Sequence, residues 1–365
     1  REFMQWATAG AGAMAIGGCA AGRGGSAGSA GRVVVVGGGY GGATAARFLR
    51  LWAPDIAVTL VEPNQHFISC PISNLVLGGN AQMSDITYSY EGLRQRGVNV
   101  MRDYAVAIDA DKRLVRLAGG EALPYDRVIV SPGVELMFDQ IPALKTTNAQ
   151  NRVPHAWKAG AQTVLLRKQL EAMRDGGVYV LQIPMSPFRC PPGPYERVSQ
   201  VADYFKKSKP KSKIIVLDPK DNFSKEDLFR QAWARRYKGM IDYHKVEDDG
   251  RVIRVDAEAN TFFTDFGAYK GDVANFIPAQ KAGAIAVASG LTDETAWCPI
   301  DPLTFESPRQ KNVHVIGDAA IANPMPKSGF SANTQAKIVA AAVVELLQGR
   351  QPGAPKLINT CYSLV

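Results

Sequence analysis

Histidine is scarce, with four in 365 residues and no paired spacing, and none of the five cysteines falls in a C-x-x-C pair. Without such spacing no metal site is assigned. No C-x-x-C-H occurs either, so the chain has no attachment site for a c-type haem of its own. No run reaches the ~18 consecutive apolar residues of a membrane span. Lys and Arg number 42 against 34 Asp and Glu, a net charge of +8. That excess suits an anionic substrate or an acidic partner. It is diffuse, and no zinc-finger, helix-turn-helix or RNA-binding signature accompanies it, so nucleic acid is not a partner on this reading. Hydrophobic residues make up 46% and charged residues 21%. This much apolar side chain builds large cores, which excludes disorder as the main state. At ~100–200 residues per domain, the length predicts two or three domains.

Residues 1–30 read as an address and a linker. Arg1-Glu2-Phe3-Met4 precedes an Ala/Gly-rich, weakly apolar run from Ala7 to Gly18. The pattern resembles the second half of a twin-arginine export signal, and Ala27-Gly28-Ser29-Ala30 offers a cleavage site. Ile16-Gly17-Gly18-Cys19 is a competing lipoprotein-type cleavage box. The expectation is a periplasmic protein. There a disulfide can persist, and Cys70, Cys190, Cys298 and Cys361 allow three full pairings that spacing cannot rank.

Arg32 to Val36 is a β-branched run suited to a parallel strand covered on both faces. Gly37, Gly39 and Gly42 follow as G-x-G-x-x-G, and Ala43 to Leu51 has helix composition. Gly37 permits a tight turn, Gly39 lets backbone approach a pyrophosphate, and Gly42 lets helix pack on strand. The helix N-terminus offers free N–H groups and partial positive charge to phosphates. A second strand, Ala57 to Val61, ends in Glu62, placed to hydrogen-bond a ribose 2′-hydroxyl. Two further segments point to FAD. Asp126 to Gly133, with Ser131 and Gly133 at its turn, resembles a strand-and-turn of two-dinucleotide flavoproteins. Val313 to Ile316 closes on Gly317-Asp318 before an Ala-rich helix from about Ser331 to Gln348. In those flavoproteins such an Asp binds the ribityl chain.

A second nucleotide loop is expected after the strand Gly177 to Gln182. Ile183 to Glu196 instead carries five prolines and Cys190. Proline removes N–H donors from such a loop, so the second domain is read as Rossmann-shaped, supported by the strand Ile214 to Leu217, but without NAD.

Several longer runs are more specific. Ser69-Cys70-Pro71-Ile72-Ser73-Asn74, Pro154-His155-Ala156-Trp157-Lys158-Ala159-Gly160, Phe188 through Glu196, Ile321 through Gly329 and Asn359-Thr360-Cys361-Tyr362-Ser363 resemble the flavoprotein subunit of flavocytochrome c sulfide dehydrogenase. The resemblance runs over residues 31–365. It implies FAD linked covalently through Cys70, a redox-active disulfide between Cys190 and Cys361, hydrosulfide as substrate, and electrons passed to a c-type cytochrome subunit that carries the haem. Glu196, six residues after Cys190, is the candidate proton carrier, and Lys327 the candidate cation at the flavin. Cys298 is read as a buried structural thiol.

The expected architecture is α/β, with two Rossmann-like dinucleotide-binding domains, the second inserted in the first, and a truncated C-terminal domain. Its segments are 31–143 and 283–350 for FAD, 144–282 for the second Rossmann-like domain, and 351–365 for the start of the last. Two alternatives stand beside this reading. One is a sulfide:quinone oxidoreductase-like enzyme, and the other is a flavin electron-transfer subunit without sulfide chemistry.

Overall fold

The structure is a computed structural model that describes residues 30–365. The first half opens with β1 (Arg32–Val36), α1 (Tyr40–Trp52) and β2 (Ala57–Val61). The short helix α2 (Ser73–Gly78), then β3 (Asn99–Met101) and β4 (Arg127–Val130), follow. The middle of the chain contains β5 (Val178–Gln182), α3 (Gly193–Ser208), β6 (Lys213–Leu217), β7 (Ile241–His244) and β8 (Val273–Phe276). The chain then returns through β9 (Val313–Val315) and the long helix α4 (Gly329–Leu347).

Two parallel sheets organise these elements. The first has the order β9-β4-β1-β2-β3 and the second the order β7-β6-β5-β8. Small antiparallel sheets surround them, among them Ala105–Asp109 with Leu114–Leu117, and Val134–Leu136 with Gln280–Ala282. The architecture is that of tandem Rossmann-like dinucleotide-binding subdomains. The late strand β9 pairs with β4 through Val313, His314 and Val315, so residues far apart in sequence complete the first sheet.

The valine run of β1 is explained by its place at the centre of that sheet. Val33 to Val36 are each at most 5% exposed, in one core with residues of α1 and α4 and with Ile108, Val115 and Leu117 of the antiparallel sheet. Full burial of each such side chain is worth roughly 1.5–3 kcal/mol as an upper estimate. Helix α1 starts at the glycine turn and ends before Pro54, which disfavours helical backbone in the residue preceding it. It packs on α4. The alanines buried on both, Ala45 and Ala46 on α1 and Ala336 and Ala340 on α4, fit a close helix contact. No helix among the described residues is long and apolar enough to cross a membrane. The export reading falls on residues outside the described ones, apart from Ala30.

Candidate functional site

The glycine turn between β1 and α1 is built by exclusion. Gly37 has φ +95°, and a Cβ there would meet the Ser131 carbonyl oxygen at 2.3 Å. A Cβ on Gly42 would lie 1.8 Å from the Gly37 carbonyl oxygen. At Gly39 nothing stands within 4 Å, and its backbone lines a cavity. The three positions thus differ sterically: a turn at Gly37, an open face at Gly39 and a close backbone contact at Gly42. Glu62, 8% exposed at the end of β2, accepts from Gly38 N at 2.7 Å and from Asn64 N and Nδ2 at 2.9 and 2.6 Å. The carboxylate therefore braces the glycine turn.

The same cavity is lined from the other elements by Cys70, Ser131, Gly133, Cys190, Gly317 and Asp318. Gly317 N donates to Gln335 Oε1 at 2.7 Å, which fixes the turn after β9 against α4. Asp318 Oδ1 is buried with no partner. Burial pushes its carboxyl above the ordinary range, against the pull of Arg189 and Lys327. Gly329 and Ala332, in the first turn of α4, also line the cavity, and Ser328 Oγ caps that helix by accepting from Ser331 N at 3.0 Å. An orphaned carboxylate oxygen, a bare glycine turn and a helix N-terminus around one cavity fit FAD. The turn and helix suit the pyrophosphate, and Asp318 is free to accept from a hydroxyl.

Cys190 occupies the seam of the site. It takes φ +57°, and its N–H donates to the Lys327 carbonyl oxygen at 2.7 Å. Gly193 makes room for it, since a Cβ there would meet Cys190 Sγ at 2.9 Å and the Trp157 ring at 2.8 Å. Cys190 lines the dinucleotide cavity and also an outer groove of about 490 Å³. Glu196, Cys361, Tyr362 and Leu364 line that groove too. Burial, with Glu196 and Cys361 nearby, pushes the Cys190 thiol up to about 12, while Arg189 pulls it down. Glu196 is 6% exposed. Burial raises it to about 7, although hydrogen bonds from Ser363 and from the Leu364 backbone favour its charged form.

The structure brings Cys190, Glu196 and Cys361 to one groove but does not join the two sulfurs. Cys70, Cys190, Cys298 and Cys361 are all free. Cys361 is exposed, and its Sγ contacts the Tyr362 carbonyl oxygen at 3.8 Å. This corrects the expected redox-active disulfide between Cys190 and Cys361. Covalent FAD through Cys70 is not upheld either: Cys70 Sγ is a free thiol that accepts from Ala159 N at 3.3 Å. Lys327 lies beside the cavity, not on its lining. Its Nζ donates to the Asp318 and Ala320 carbonyl oxygens at 2.8 and 3.0 Å and sits 3.8 Å from the centre of the Trp297 ring. Burial lowers it to about 8.

Two arginines in the site lacked any assigned role in the sequence reading. Arg197 is 1% exposed, and its guanidinium donates to Asn74 Oδ1, Asn275 Oδ1 and the His155 and Ala156 carbonyl oxygens. Arg189 lines the cavity, and its guanidinium donates to the Trp157 carbonyl oxygen. Neither is ion-paired with a carboxylate among the described residues.

Comparison with known proteins places this geometry. Residues 163–278 match the family described as the central part of the sulfide dehydrogenase (flavocytochrome c) flavoprotein chain. Residues 31–165 match the pyridine nucleotide-disulphide oxidoreductase family. The mitochondrial sulfide:quinone oxidoreductase of Dictyostelium discoideum is 23% identical over 327 residues, covering 86% of this chain and 70% of that protein. A short sulfide dehydrogenase (flavocytochrome c) flavoprotein sequence from Chlorobaculum thiosulfatiphilum is 62% identical over 45 residues, 12% of this chain and 94% of its own. Among solved structures, the sulfide:quinone oxidoreductase of Aquifex aeolicus shares the fold, with TM-score 0.73, 19% identity and coverage of 87% and 77%.

These findings correct two further expectations. The exclusion of NAD is overturned, because the matched family of residues 31–165 is a pyridine-nucleotide one. The fold is also that of a Lactobacillus brevis NADH oxidase bound to NADH, with TM-score 0.69, 18% identity and coverage of 89% and 70%. Each loop proline removes the donor at its own position alone, and Gly193 and Tyr195 in the first turn of α3 keep an N–H. The cytochrome-linked reading gives way to the quinone-linked alternative, which the full-length relatives favour. The periplasmic, twin-arginine assignment is unconfirmed, its residues lying outside the described ones apart from Ala30.

Proposed function

We propose, on the premise that this chain belongs to the FAD/NAD(P)-disulfide oxidoreductase superfamily and is related to the sulfide:quinone oxidoreductases and the flavocytochrome c flavoproteins, that it oxidises sulfide in the manner of a sulfide:quinone oxidoreductase. The observation that carries this reading is the double exposure of Cys190, to the dinucleotide cavity on one side and to the outer groove on the other. A small anion arriving through the groove meets a thiol that borders the cofactor.

FAD held by the glycine turn, Glu62, Ser131, Gly133, Gly317 and Asp318 supplies a two-electron acceptor that a quinone can reoxidise. The chain's own part is to bind sulfur and to move protons. Cys190–SH and HS⁻ give Cys190–S–S⁻, two protons and two electrons. One S–S bond forms and the two S–H bonds break; bound FAD would supply the acceptor for the electron pair, with the quinone as its final oxidant. A second hydrosulfide then takes the outer sulfur, leaving Cys190 thiolate and HSS⁻ by ordinary exchange at a sulfane sulfur. The quinone receives the electron pair and two protons. Glu196, raised to about 7 by burial, exchanges protons near neutral pH within the same groove. The N-terminal turn of α4 adds positive potential where negative charge develops. Cys361 has no covalent role in this scheme.

The test is steady-state turnover of the FAD-loaded protein with sulfide and a water-soluble quinone analogue. Cytochrome c and NADH serve as comparison acceptor and donor. Sulfide-dependent quinone reduction is the expected result. Reduction of cytochrome c in place of quinone moves the acceptor. Reduction by NADH with no response to sulfide overturns the reading.

A further inference from the structure

We propose that Arg189 is the residue that binds anionic sulfur at Cys190. Arg189 lines the cavity together with Cys70, Cys190, Asp318 and Trp157, to whose carbonyl oxygen its guanidinium donates, and it has no ion-paired carboxylate among the described residues. This deepens the sulfide-oxidising reading by naming what holds the charged substrate and product.

Two cations of the site differ: Arg197 is buried and Arg189 half-buried. Arg197 spends its donors on two asparagine oxygens and two carbonyl oxygens, and it thereby anchors the 154–157 segment to α2 and β8. Its task is structural. Arg189 is tied by its backbone N–H to Gln280 Oε1 at 3.0 Å, but its guanidinium has one acceptor, the Trp157 carbonyl oxygen. A guanidinium carries five donors. Arg189 feels the Asp318 carboxyl but makes no direct ion pair with it, and a half-buried cation with unspent donors suits a place where a charge is to be received.

The neighbours define which charge. Cys190 is adjacent in sequence, and Cys70 and Asp318 lie in the same cavity. The charged and titratable groups that act on the Cys190 sulfur are Glu196, Cys361 and Asp318, which oppose its ionisation, and Arg189, which favours it. Arg197, 5.2 Å from the centre of the Trp157 ring, also interacts with that sulfur. A cavity-lining arginine with donors to spare suits a small soft anion such as hydrosulfide or the persulfide on Cys190. Asp318 differs from it in kind, since its unpartnered oxygen accepts hydrogen bonds.

The test compares alkylation of Cys190 by neutral iodoacetamide and by anionic iodoacetate in the FAD-loaded protein, followed at the Cys190 peptide by mass spectrometry. In the unaltered protein the anionic reagent is favoured, and thiocyanate competes against iodoacetate more than against iodoacetamide. Arg189→Met lowers the iodoacetate-to-iodoacetamide ratio by about tenfold or more, and Arg189→Lys restores most of it. An unchanged ratio in Arg189→Met, at equal FAD content and melting temperature, overturns the proposal. If Arg189→Met does not fold, the thiocyanate competition decides it alone, and equal competition against both reagents overturns it. Because no arm requires sulfide turnover, failure here and failure of the sulfide reading are separable outcomes.

Discussion

The backbone N–H of Cys190 donates to the carbonyl oxygen of Lys327 at 2.7 Å. This one bond ties the loop after β5 to the loop that leads into α4, and so hangs a middle-domain thiol at the edge of a cavity built by the first sheet. It also holds Cys190 at φ +57°, a backbone region that costs a non-glycine residue about 1–2 kcal/mol. Strain retained at such a place is consistent with a thiol positioned for chemistry.

Cys190→Ser and Cys361→Ser separate the present scheme from one that needs a disulfide. Cys190→Ser removes sulfide-dependent turnover by at least about a hundredfold, since the sulfur acceptor is gone. Cys361→Ser keeps activity within about threefold, because that exposed thiol takes no part in the bond changes. Steady-state rates at saturating sulfide check both. An equal, large loss in the two variants would restore a shared role for the pair.

The glycine turn gives a paired prediction. Gly42→Ala places a methyl 1.8 Å from the Gly37 carbonyl oxygen, so α1 must shift at a cost of about 1–3 kcal/mol or more, read as a lower melting temperature of the FAD-free protein. Gly39→Ala meets no protein atom within 4 Å, so the FAD-free protein melts as before. The new methyl intrudes where the pyrophosphate approaches, and FAD is lost on gel filtration.

Asp318→Asn tests the orphaned carboxylate. Burial raises its carboxyl above the ordinary range, so an uncharged side chain leaves the FAD-free fold as stable or more so. FAD retention then weakens by about tenfold, because an amide is a poorer acceptor for a hydroxyl than a carboxylate. Thermal melts with and without added FAD separate the two effects.

Glu196 sets a pH slope. Its folded value of about 7 lies above the ordinary carboxyl value of 4.5. The folded state therefore binds more protons than the unfolded state between these values, and stability falls as pH rises from about 4.5 to 7, then levels. Glu196→Gln flattens that part of the curve of melting temperature against pH. An unchanged slope removes Glu196 as its source.

Much of the first Rossmann unit was legible because each glycine answers to a local steric demand. Gly37, Gly39 and Gly42 were readable from spacing alone, and Glu62 and Asp318 from the strand ends they follow. The cysteine relationship was not. A resemblance implied a Cys190–Cys361 bond, yet whether two thiols 171 residues apart are joined depends on how the segment after α4 is held. Here Lys225 Nζ donates to the Cys361 carbonyl oxygen at 2.7 Å, and Asn359 Oδ1 accepts from Ser328 and Ser331 at 2.8 and 3.0 Å. Arg189 was hidden for a different reason. An arginine in a proline-rich loop reads as a solvated surface residue, and only the fold turns it toward a cavity. The loop prolines were overread, since each removes only its own N–H and leaves those of its neighbours.

The central claim is that Cys190 connects sulfide to a bound two-electron acceptor. Anaerobic titration of the FAD-loaded protein with sulfide tests it most directly. The account predicts bleaching of the visible flavin band by one equivalent, a mass increase of one sulfur atom on the Cys190 peptide, and neither change in Cys190→Ser. A flavin band that sulfide leaves untouched, or that bleaches equally well in Cys190→Ser, would contradict it.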